Sequence, residues 1–68
     1  MSMAWETTLE DVENVLRRMG RKLRPESVRV LYEDLDQATI EKAALYGDSM
    51  EKQTEYAYDE IERQLKGE

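Results

Sequence analysis

At 68 residues the chain forms one domain at most, and folding at that size buries only about 60% of the surface the unfolded chain exposes. It has no Cys and no His, which removes disulfide staples and the usual structural zinc ligands, and 16 acids against 10 bases leave a net charge of −6. No apolar run reaches the length of a membrane span or a signal-peptide core, so the expected setting is the cytoplasm with no membrane partner. With disulfides and metals gone, self-association is the remaining common stabiliser of so small a core, and a homo-oligomer is expected. The apolar residues are periodic rather than sparse, which argues against disorder.

Met1 to Glu6 reads as a loose end, apart from Trp5, whose large ring is expected to fold back over a core edge. Thr7-Thr8-Leu9-Glu10 matches a capping box, with Thr7 as N-cap and Glu10 three residues on. Glu10, Asp11 and Glu13 suit the positive end of a helix dipole, and Arg17 and Arg18 suit the negative end. Leu9, Val12, Val15, Leu16 and Met19 supply an apolar stripe, and Gly20 suits the C′ position. The spacing predicts a first helix over about 8–19.

Gly20 to Arg24 is a basic connection. Pro25 suits the first position of a second helix over about 26–35, where Val28, Leu31, Tyr32 and Leu35 keep helical spacing. The competing reading is a short strand through Val28 and Val30, but no other segment alternates and the strand would lack a partner. Helix is preferred.

Asp36 can cap the next helix. From Gln37 to Lys66, the residues Ile40, Ala43, Ala44, Gly47, Met50, Thr54, Ala57, Tyr58, Ile61 and Leu65 share one face of a 100° wheel. Gly47 as C-cap with Asp48 as a new N-cap would split this stretch. The phase, however, runs unbroken across the proposed split, so one long helix over 37–66 is expected, with a kink or break at 47–49 as the alternative. The expected fold is therefore all-α: two short helices packed on one long C-terminal helix, in a dimeric helical bundle.

Four features bear on function. Ala43, Ala44, Gly47 and Met50 form a mostly small-residue patch where a second helix can approach closely. That helix is either helix 1 of the same chain or the same patch of a second subunit about a two-fold axis. Charge is segregated: residues 1–16 carry −4, residues 17–29 carry +5 and residues 30–68 carry −7. The basic stretch holds Arg17, Arg18, Arg21, Lys22 and Arg24. It can bind phosphates, or it can satisfy helix-end carbonyls and neutralise acids elsewhere in the protein.

The acidic stripe Asp48, Glu51, Glu55, Asp59 and Glu62 contains like-charge i, i+4 pairs, each costing roughly 0.2–0.5 kcal/mol in an isolated helix. An outside positive group should meet it, and the basic stretch is the expected one. Carboxylates on adjacent turns, such as Glu10/Glu13 and Asp48/Glu51, can also hold Mg²⁺, but that spacing is generic in a chain with sixteen acids. Finally, Leu45 and Tyr56 lie off the main face and form a second, smaller apolar patch, Tyr46 flanks the main face, and these three are the best partner-binding candidates.

The absence of Cys, of His and of a phosphate-cradling glycine loop argues against an enzyme. No cofactor, metal ligand or catalytic residue is expected. The function expected is a non-catalytic protein–protein interaction module, such as an adaptor, inhibitor or antitoxin-like regulator acting as a homo-oligomer. The alternatives are a nucleic-acid-binding regulator using Arg17–Arg24 and a carboxylate–Mg²⁺ enzyme.

Overall fold

Residues 5–67 are described in a computed structural model, and they form four helices with no strand among them: α1 (Leu9–Arg18), α2 (Pro25–Glu33), α3 (Gln37–Ala44) and α4 (Met50–Leu65). Residues 1–4 of the expected loose N-terminus, and residue 68, lie outside the described residues.

Helix α1 starts one residue later than the capping pattern implied. The N-cap is Thr8, whose Oγ1 accepts from the Asp11 amide at 3.2 Å while Asp11 Oδ2 accepts from the Thr8 amide at 2.9 Å. Thr7 is unavailable because it is turned inward, only 4% exposed, and its Oγ1 accepts from the Trp5 indole Nε1 at 3.0 Å. Two overlapping Thr-x-x-acid patterns were possible, and tertiary packing of Thr7 selects the second. Trp5 itself covers a core edge, meeting Tyr58 edge-on at 6.4 Å between ring centroids.

The other end of α1 follows its expected chemistry. Gly20 adopts φ +77°, its amide donates to Arg17 O, and the Arg21 amide donates to Leu16 O at 2.8 Å. Those paired bonds are a Schellman motif, which satisfies carbonyls the helix leaves open. Pro25 opens α2 at its first turn. The 28–32 segment is helical, and Val28 is the one buried residue of α2, while Val30 faces out.

The long helix over 37–66 is not formed. Asp36 caps α3 as expected, accepting from the Thr39 amide at 3.3 Å, but the chain reverses over residues 45–49. A new N-cap at Ser49, rather than Asp48, accepts from the Lys52 amide at 3.2 Å to start α4. Gly47 makes the reversal possible. A Cβ there would collide with the backbone amide nitrogen of Gln53 and lie 2.7 Å from the Lys52 carbonyl carbon. The apolar phase survives the break because α3 and α4 pack on each other and each turns its stripe inward. Ile40 and Ala44 meet Ala57 and Ile61 across the hairpin instead of continuing in line with them. The arrangement is thus four helices, not two short helices on one long one.

Helix α1 packs against both α4 of this hairpin and α2. One core cluster unites Val15 with Ile40, Ala44, Ala57 and Ile61; a second joins Val12, Leu16 and Val28. Leu35 and Leu65 touch both clusters and bridge them. A polar clamp closes the seam. The Gln64 side chain accepts from the Asp36 amide at 2.8 Å and donates to the Asp36 carbonyl at 3.3 Å, tying the α2–α3 link to the last turn of α4.

Candidate protein-interaction site

The reversal at residues 45–49 sets the exposure of the apolar side chains around it. Leu45 ends α3 and is 63% exposed, Tyr46 is 80% exposed, and Met50 at the start of α4 is 71% exposed. Tyr56 is 37% exposed and faces Tyr46 across a groove of about 460 Å³ between α3 and α4. Ala43, Asp59, Glu60 and Arg63 complete its lining. Of the three residues expected to bind a partner, the structure brings Tyr46 and Tyr56 together, whereas Leu45 stands outside the groove.

The groove's charged walls are themselves held in place. Glu60 is mostly covered, accepts from Gln64 Nε2 at 3.1 Å and lies 3.6 Å from Arg63 Nη1. Asp59 accepts from Arg18 Nη2 at 3.1 Å. The lining thus offers two tyrosine rings, two carboxylates and one guanidinium.

The small-residue patch expected to mediate self-association is divided by the turn. Ala44 and Gly47 are buried within this chain's own hairpin, against Ala57 and the start of α4. Ala43 is half-buried at the tyrosine groove, and Met50 points outward. Within this chain the close approach that small side chains permit is made by α4, with Val15 of α1 packed in the same core cluster as Ala44.

The basic stretch also divides. Arg18 alone reaches the acidic stripe, donating to Glu62 Oε1 from Nη2 at 3.0 Å and from Nε at 3.2 Å, and to Asp59. Partial burial works against the Arg18 charge, but the hydrogen bonds to Glu62 and Asp59 outweigh it and raise its pKa above the ordinary value. Glu62 is lowered, chiefly by its hydrogen bond from Lys66 and next by that from Arg18. Glu55 pairs instead with Lys52 on its own helix, at 3.5 Å.

Arg17, Arg21 and Lys22 line a second groove of about 500 Å³ at the α1–α2 connection, with Leu23 beside them and Glu13 on its wall. Among the described residues none of these bases, nor Arg24, forms an ion pair with an acid, and all are exposed. The carboxylate pairs Glu10/Glu13 and Asp48/Glu51 are exposed, and among the described residues no group of three or more metal-ligating side chains converges. No described helix is long and apolar enough to cross a membrane.

Two polar links carry no pattern in the sequence. Tyr58, on the shared apolar face of the wheel, donates from its hydroxyl to Asp11 Oδ1 at 2.8 Å and accepts from Asn14 Nδ2 at 3.2 Å. Burial raises the Tyr58 pKa, the Asn14 bond opposes this, and Asp11 adds to it. The Gln64 clamp is the second. An isolated Asn or Gln on a polar helix face gives no signal that its partner lies some 28–44 residues away.

Comparison of this chain with protein-family models, with curated proteins and with solved structures finds no match.

Proposed function

We propose that this chain is a non-catalytic protein–protein interaction module whose docking surface is the α3–α4 hairpin. The observation carrying this reading is the grouping of Leu45, Tyr46 and Met50, all more than half exposed, beside the Tyr46–Tyr56 groove. Leaving large apolar side chains in water forfeits roughly 1.5–3 kcal/mol each relative to burial, so a second protein gains by covering them. Exposed tyrosines also contribute area with little rotamer entropy to lose, which suits them to be anchors. Self-association through this surface is part of the proposal.

A photo-crosslinking amino acid in place of Tyr46, used in the protein's own cells, should give an adduct with another polypeptide. The same group in place of Glu26 should not. Failure to form any adduct at position 46 rejects the reading.

A second reading, nucleic-acid binding, is favoured by Arg17, Arg21, Lys22 and Arg24, which are exposed and form no ion pair among the described residues. It requires affinity for an oligonucleotide at about 50 mM salt that falls steeply as salt rises. No binding at that salt eliminates it.

A further inference from the structure

We infer that the Tyr46–Tyr56 groove takes the basic α1–α2 connection of a second copy of this chain. The inference rests on the interaction-module reading and names the partner. The groove is suited to a cation: two tyrosine rings attract a guanidinium or ammonium electrostatically when it lies within about 6 Å of a ring, and Asp59 and Glu60 add carboxylates beside them. Two guanidiniums already stand beside these carboxylates, Arg63 at 3.6 Å from Glu60 and Arg18 at 3.1 Å from Asp59 Oδ1, but the Asp59 side chain is 62% exposed and open to a further donor.

The connection supplies the complementary chemistry. Arg17, Arg21 and Lys22 line their groove with one acid, Glu13, and Leu23 is partly exposed between Lys22 and Pro25. Arg18 shows the same pairing inside one chain, since it already bonds Asp59 at the groove's edge. Its neighbours Arg21 and Lys22 lie past the Gly20 turn, are exposed and, among the described residues, form no ion pair with the acids of their own α4. A second copy can use them. The net charge of −6 repels two copies at long range, but ionic strength screens that repulsion beyond about 10 Å at 0.1 M while the contact pairs remain close.

Because the groove and the connection are different surfaces, the contact is heterologous. One such contact leaves a free groove on one copy and a free connection on the other. This asymmetry gives the test. R21E/K22E removes the basic side and keeps the groove; Y46S/Y56S removes the groove and keeps the basic side. All four positions lie at the surface, and circular dichroism checks that both variants stay helical.

Mass should be followed by light scattering from about 10 µM to about 1 mM, the range of weak contacts. Wild type should rise above monomer mass, each variant alone should stay monomeric, and an equimolar mixture should recover a 1:1 dimer that grows no further. A mixture that stays monomeric, or either variant associating alone, overturns the inference. A monomeric wild type with an intact Tyr46 adduct to a different protein overturns self-docking and leaves the interaction reading standing. A monomeric wild type with no adduct ends both. A monomer whose oligonucleotide binding is lost in R21E/K22E overturns the inference and assigns the connection to phosphates.

Discussion

Gly47 and Gln53 are in backbone contact: the space a Cβ on Gly47 would need is occupied by the Gln53 amide nitrogen. This contact seats the start of α4 against the end of α3, and the obstructing atoms are backbone, which cannot swing aside. Gly47→Ala should therefore destabilise by about 1–3 kcal/mol, the usual cost of forcing extra volume into a packed region. Gly20→Ala should cost about 1–2 kcal/mol for a different reason. Its Cβ meets nothing within 4 Å, and the strain is the left-handed φ of +77°. Asparagine, which tolerates that conformation, should recover stability at position 20 and none at position 47. Urea denaturation of the four variants checks this.

Ile40 and Ile61 are fully buried and face each other's helices across the hairpin. Ile61→Ala should lose about 2–5 kcal/mol through transfer and cavity terms together. Total stabilities of native domains are only about 5–15 kcal/mol, so this variant should be partly unfolded by circular dichroism at room temperature. Substituting exposed Val30 by Ala should change stability by less than about 0.5 kcal/mol.

Acid should unfold the protein partly through Glu62. Its pKa is lowered in the fold by Lys66 and Arg18, from an ordinary 4.5. The stabilisation is therefore complete above 4.5 and is lost as pH falls through the lower folded value. Asp36, lowered chiefly by the Thr39 hydroxyl, acts in the same direction. Thermal melts taken across this acid range should show a shallower loss of stability in Glu62→Gln than in wild type. Equal slopes would show that the pairing adds nothing.

Tyr58 contributes to the alkaline limb. Its pKa is raised above 10.0, mainly by burial, so the folded state holds the phenolic proton more tightly than the unfolded state. That contribution is present below 10.0 and is lost as pH rises through the folded value. Tyr58→Phe should cost about 0.5–1.5 kcal/mol at neutral pH by releasing the bonds to Asp11 and Asn14. It should also flatten the alkaline fall in melting temperature.

Local signals in the sequence led to the right elements where the determinants are local. The Gly20 stop, the Pro25 start and the Asp36 cap each depend on backbone preferences of one residue. They mislead where side-chain packing, near or distant in the chain, decides the outcome. Thr7 and Thr8 compete on equal terms for the N-cap until Trp5 claims Thr7. The unbroken apolar phase from Ile40 to Ile61 is the same whether the helix continues or folds back with a five-residue turn that preserves register. Only the fit of Gly47 on Gln53 separates those cases, and glycine alone does not announce what it touches. A continuous wheel likewise sets Leu45 beside Tyr56 and leaves Tyr46 at the flank, whereas the hairpin rearranges those faces and makes Tyr46 the groove's other wall.

The bonds joining α1 to α4 link residues 41 to 47 positions apart, whereas α3 and α4 are joined by a five-residue turn. Loop-closure entropy is small for the hairpin and larger for the docking of α1. The hairpin should therefore assemble early, with α1 and α2 arriving as a lid that completes both core clusters. In native-state amide exchange, protons in the middle of α2 should exchange well before those near Ala57 and Ile61. A uniform rate across all four helices would instead mark the domain as a single cooperative unit.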